Sequence, residues 1–154
     1  MLWKLGRMAL VMAMAGAAGI RSRAADAPVA GDKFEAAVKR FEEKDQASPP
    51  PKDAVLFYGS SSIAGWNTTK HFPDRVTVNR GIGGTTVADA LRFADRIAIP
   101  CAPKAIVFYA DIAPVLLGAD GQPRKELFKP DGLHLSEDGY KLWAEVVEKA
   151  LREE

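Results

Sequence analysis

Phe34, Ala37, Val38 and Phe41 recur at the i, i+3, i+4, i+7 spacing that lines one face of a helix, and Ser48-Pro49-Pro50-Pro51 follows with residues that cannot continue it. The next apolar block is of another kind. Ala54-Val55-Leu56-Phe57-Tyr58 is short and unbroken by charge, as in a strand covered on both faces of a parallel sheet. Residues 63–66 predict the start of a short helix. Arg75-Val76-Thr77-Val78-Asn79 predicts a second strand, which runs into the glycine-rich Gly81-Ile82-Gly83-Gly84. Thr86 followed by Asp89 has the spacing of a capped helix start, and Val87, Ala90, Leu91 and Ala94 give that helix an apolar face. Ala105-Ile106-Val107-Phe108-Tyr109 predicts a third strand.

Helix and strand therefore alternate three times, which implies an α/β domain with a parallel sheet, right-handed crossovers and a site at the C-terminal ends of the strands. Past Tyr109 the alternation stops. Residues 111–130 contain Pro114, Gly118, Gly121 and Pro123 and no helical stripe long enough to cover a sheet face, an unusual stretch for the inside of a compact domain. The last helix is again plain: Ser136 is its predicted N-cap, and Trp143, Val146, Val147, Ala150 and Leu151 line one face.

The N-terminus changes the picture of where the domain begins. Lys4 and Arg7 precede the apolar stretch 8–20, and small residues follow, which is the layout of an export signal, too short to span a bilayer comfortably. Cleavage is expected after Ala17, Ala24 or Ala27, the last disfavoured by Pro28; the alternative is an uncleaved membrane anchor. The expected organisation is a signal peptide over 1–24, an N-terminal helix and Pro-rich linker over 25–53, and one domain over 54–154, in an exported protein, periplasmic or secreted. The 154-residue chain has a formal net charge of +1. Cleavage after Ala24 removes four basic residues and no acid, leaving 17 basic against 20 acidic and a charge of −3. With no basic run, that balance argues against a nucleic-acid partner. Cys101 is the single cysteine, so no internal disulfide and no thiolate metal cluster can form.

Two segments carry candidate chemistry. Gly59-Ser60-Ser61-Ser62 leaves the first predicted strand in a turn of small residues, where an α/β enzyme places a nucleophilic serine; Asp131-Gly132-Leu133-His134 supplies an imidazole and a carboxylate to orient it. The chain has only two histidines, His71 and His134, and only the second lies three residues from an aspartate on such a loop. Each segment alone has a plainer reading. A serine after a strand commonly caps the next helix, Asp131 and His134 can form a self-satisfied turn, and 81–85 can cradle a phosphate, although it lacks the lysine of a P-loop and the full dinucleotide spacing.

Taken together and in order, Phe57-Tyr58-Gly59-Ser60-Ser61-Ser62-Ile63, Asn79-Arg80-Gly81-Ile82-Gly83-Gly84-Thr85-Thr86 and Asp131-Gly132-Leu133-His134-Leu135-Ser136 resemble the SGNH/GDSL hydrolases, over nearly all of residues 34–151. The resemblance implies a three-layer α/β/α sandwich of flavodoxin-like type with a short parallel sheet. It implies Ser61 as nucleophile, His134 as base, Asp131 as its orienter, and the backbone N–H groups of Ser61 and Gly84 as oxyanion donors. It implies a small-molecule ester substrate (acyl esters, lysophospholipids or acetylated sugars), no metal, no cofactor, and no stable membrane insertion after signal cleavage. One block departs from the family. The Gly-x-Asn-Asp motif that supplies a third oxyanion donor is missing, and Phe108-Tyr109-Ala110 runs directly into Asp111-Ile112-Ala113-Pro114, as if two strand–helix units of roughly 30 residues each had been lost. The resemblance therefore implies a truncated fold, a third strand with one edge unpaired or covered by an irregular loop, and weak esterase activity. Asn79, at the end of the second predicted strand, is a candidate substitute for the lost donor. The alternative is a non-catalytic shortened relative, or a gene fragment, that binds an ester or glycan.

Overall fold

The computed structural model describes residues 10–13, as backbone, together with 32–109 and 112–153. Apart from Leu10–Ala13, the expected signal peptide lies outside the described residues, as does the junction of Ala110 with Asp111. The elements in chain order are β1 (Leu10–Ala13), α1 (Glu35–Ala47), β2 (Val55–Gly59), α2 (Ser61–Ala64), α3 (Thr68–His71), β3 (Thr77–Gly81), α4 (Val87–Ile97), β4 (Ala105–Tyr109), α5 (Ala113–Leu116) and α6 (Glu137–Arg152), with single 3₁₀ turns at Ile99–Cys101 and Lys125–Leu127. The fold is α/β: β4, β2 and β3 form a small parallel sheet, and β1 is the hydrogen-bonded neighbour of β4, giving the order β1-β4-β2-β3. The edge of β4 that the sequence leaves open thus carries a short strand and not an irregular loop. An unpaired row of N–H and C=O groups is what such a strand satisfies.

By contact the chain divides into two compact units, residues 12–106 and residues 1–11 with 107–154. In the first, β2 is the centre. Val55, Leu56 and Phe57 have no exposed surface, worth about 1.5–3 kcal/mol for each side chain of this size. Phe57 meets Trp66 and Phe72 at ring separations of 5.2 and 5.0 Å, and on the opposite face the Tyr58 hydroxyl donates to the carbonyl of Ala90 in α4. The uninterrupted apolar run is thereby explained: both faces of this strand are covered. β2 pairs with β3 in parallel, in register from Val55 opposite Thr77 to Gly59 opposite Gly81. The second predicted strand lies two residues later than its sequence suggests, because both glycines join the ladder while Val76 stays exposed.

α4 begins with the expected capping box, Thr86 Oγ1 accepting from the Asp89 N–H and the Asp89 carboxylate accepting from the Thr86 N–H. Its buried face is rotated from the one expected. Ala90, Phe93 and Ile97 are buried, whereas Val87 and Leu91 are 61% and 73% exposed. Phe93 and Ile97 are the largest apolar groups one turn apart, and they win the core. α1 is tied to α4 by Arg96, which reaches both carboxylate oxygens of Glu35 at 2.8 and 2.9 Å and both of Glu42 at 2.7 and 2.8 Å. Arg80 is buried at the far end of this contact, donating to the Ile97 carbonyl and the Asp45 carboxylate.

In the second unit, α6 is capped by Ser136, whose hydroxyl accepts from the Gly139 N–H at 3.2 Å. Tyr140, Trp143, Ala144 and Val147 form its buried face. Gly139 is required there by close approach, since a Cβ would stand 2.3 Å from the carbonyl oxygen of Leu127. The segment 112–135 holds only α5, the 3₁₀ turn and isolated bridges Leu117–Pro123 and Phe128–Leu135, which agrees with the missing helical stripe.

Candidate functional site

Ser61, Gly84 and Asn79 belong to the unit 12–106, and Asp131 and His134 to the other; each group has its own local geometry. Gly59 ends β2 with φ +158°, close to a conformation for which a side chain is a hindrance, and the chain turns at once into α2. Ser60 occupies the N-cap but its side chain makes no capping hydrogen bond, and Ser61 is the first helical residue. Ser60 therefore starts α2 without capping it through its side chain. Within its unit the Ser61 hydroxyl has no hydrogen-bond partner and is half-buried.

The glycine loop packs against this turn. Gly81 has no room for a side chain: a Cβ would lie 2.2 Å from the backbone nitrogen of Ala64. Gly83 is open, and a Cβ there would lie 4.0 Å from the Ser61 Cβ. Gly84, at φ +80°, bends the loop away into the α4 capping box. Within the unit, neither the Gly83 nor the Gly84 N–H meets an acceptor, so both are available to a ligand.

Asn79 holds these two pieces together. Its Nδ2 donates to the carbonyls of Ile63 at 2.7 Å and Trp66 at 3.1 Å, and its Oδ1 accepts from the Gly81 N–H at 2.8 Å. An amide has two hydrogens to give, and both are given. Asn79 is a clamp between α2 and the end of β3, and the part of substitute oxyanion donor finds no free hydrogen here.

In the other unit, Asp131 and His134 form a closed local assembly. His134 Nδ1 and Asp131 Oδ2 are 2.8 Å apart, and the N–H groups of Leu133 and His134 both donate to Asp131 Oδ1 at 2.9 Å. The His134 hydrogen bond, with these two backbone N–H groups, holds the Asp131 carboxyl well below the usual carboxylate range. An ionised carboxylate can only accept, so Nδ1 carries the hydrogen and the Nε2 lone pair is left to take a proton. The loop is fixed at both ends: the Lys129 N–H donates to the His134 carbonyl at 2.7 Å, Gly132 turns at φ +64°, and Ser136 N–H bonds the Leu127 carbonyl. His71, the other histidine, bonds through Nδ1 to the Asn67 backbone carbonyl within α3.

No family model and no curated protein sequence matches the chain. Among the described residues no group of three His, Cys, Asp or Glu side chains is placed to hold a metal ion, and no helix is long and apolar enough to cross a membrane. Sequence reasoning passed over Lys33 and Arg40, which line a cavity beside the glycine loop. A signal for them exists: Lys33-Phe34 and Arg40-Phe41 repeat a cation–aromatic pair seven residues apart, the first leading into α1 and the second on it.

Proposed function

We propose that the chain is a serine hydrolase of the SGNH/GDSL kind that cleaves carboxylic esters, built as a shortened three-layer α/β/α sandwich and exported from the cytoplasm. The observation that carries this reading is the Asp131–His134 pair, whose hydrogen bonding leaves Nε2 as a base. Ser61 is the nucleophile: it attacks the ester carbonyl, His134 accepts its proton and returns it to the leaving alcohol, and water then repeats the sequence on the acyl-serine. The N–H groups of Ser61 and Gly84 stabilise the oxyanion; with the third donor of the family absent, turnover is low. Asn79, with both hydrogens engaged, supports the second reading, a non-catalytic shortened relative that binds an ester or glycan.

Hydrolysis of p-nitrophenyl acetate by the full chain, alongside Ser61→Ala and His134→Ala, tests the proposal. Turnover lost in both variants, together with fluorophosphonate labelling of Ser61 in the parent chain, is the expected result. Hydrolysis indifferent to Ser61→Ala overturns it, and ester binding without any turnover selects the second reading.

A further inference from the structure

A cavity of about 580 Å³ opens between α1 and the glycine loop, wholly within the unit 12–106. Its walls are of two kinds. Phe34, Phe41 and Ile82 supply apolar surface, and the exposed Lys33 and Arg40 supply positive charge. No acidic residue lines it. The acids nearby are committed elsewhere: Asp32 pairs with Arg92, Glu35 and Glu42 with Arg96, and Asp45 with Arg80. Lys33 and Arg40 make no ion pair among the described residues, and Lys33 lies 4.7 Å from the centre of the Phe34 ring, so its charge is held over the apolar wall. The Gly83 N–H, without an acceptor in the unit, adds a further donor at the rim.

We propose that this cavity binds an amphipathic anion, an alkyl or aryl chain ending in a carboxylate, with the chain on Phe34 and Phe41 and the carboxylate between Lys33 and Arg40. Burial of the chain supplies the affinity, and the paired cations select the charged head over a neutral one. Lys33, just before α1, and Arg40, on α1, line the same cavity, where a single anionic head group can meet both, and a quaternary ammonium head is repelled by the same pair. The inference does not depend on the hydrolase reading, since it concerns binding and not turnover.

Octanoate, octan-1-ol and octyltrimethylammonium titrated into the full chain, with backbone amide shifts as the readout, test it. Octanoate is expected to move the amides of Ala37 and of 81–84 and to bind more tightly than octan-1-ol, while octyltrimethylammonium leaves them still. The double variant Lys33→Gln, Arg40→Gln, at exposed positions that leave the fold intact, is expected to weaken octanoate about tenfold, as two partly screened charge contacts do. Ala37→Trp, which fills the cavity, is expected to abolish binding. Octan-1-ol binding as tightly as octanoate, or octanoate affinity unchanged within twofold in the double variant, overturns the proposal. The readout contains no ester, so octanoate binding by a chain that hydrolyses nothing upholds the cavity while removing the hydrolase reading.

Discussion

Replacing Asn79 with alanine removes three hydrogen bonds at once: Nδ2 to the Ile63 and Trp66 carbonyls, and the Gly81 N–H to Oδ1. Each bond contributes about 1 kcal/mol net, so the expected loss is about 3 kcal/mol. That is a large share of the roughly 5–15 kcal/mol that holds a domain of this size together. With a urea slope of about 1–3 kcal/mol/M, the unfolding midpoint should fall by about 1–3 M. Trp66, buried against Phe57 and Phe72, reports the transition by its fluorescence. Asn79→Asp provides the companion measurement. It keeps an acceptor for the Gly81 N–H but sets a carboxylate oxygen against two carbonyls, which raises the native pKa of the new group above its unfolded value. The variant should then be weakest at neutral pH and recover as pH falls through that raised value, where the protonated oxygen can donate again. An alanine variant within about 0.5 kcal/mol of the parent, the range of an ordinary surface change, would refute the clamp.

The Asp131 carboxyl should titrate below the other aspartates when followed by carbon-13 shifts, and its midpoint should rise in His134→Ala, since the His134 hydrogen bond is the largest cause of the depression. Because the native value is depressed, the pair's contribution is fully present above the ordinary carboxyl pKa of about 3.9 and is lost only as pH falls through the lower native value. Arg96→Met should free α1 from α4, read as faster amide exchange along Glu35–Ala47 with exchange in α6 unchanged. Grafting a strand–helix segment that carries a Gly-x-Asn-Asp motif between Ala110 and Asp111 should raise ester turnover by about tenfold or more, since one oxyanion donor is worth on the order of 10²–10³; no rise would show that the donor is not what limits the chain.

What the sequence discloses here is what is local. The Thr86–Asp89 box, the Ser136 cap and the Asp131–His134 pair each join residues three apart, and each forms as its spacing requires. β4 falls on the expected residues because the run 105–109 is unbroken by charge and Lys104 marks where it begins. Where distant partners decide, the sequence is silent. The burial of Phe93 in place of Leu91 depends on what α1 offers, namely Phe34, whose ring meets Phe93 edge-on at 6.5 Å. Asn79 reads as a possible donor from its place at a strand end, and only the nearness of the Ile63 and Trp66 carbonyls, 16 and 13 residues earlier in the chain, makes it a clamp. Lys33 and Arg40 look like ordinary solvated charges until the acids around them are seen to have arginine partners of their own.

Two glycines that look interchangeable in a sequence are opposites in use. A methyl at 81 would press into the Ala64 backbone from 2.2 Å, whereas at 83 the nearest atom is the Ser61 Cβ at 4.0 Å and the backbone lies outside the left-handed region. Position 81 is thus closed to variation, while position 83 works as a dial: small, bulky or charged groups placed there would crowd, shade or electrostatically bias the space above Ser61 without disturbing the strand beneath it. A randomised library aimed at altering what this chain accepts should vary residue 83 and hold residue 81 fixed.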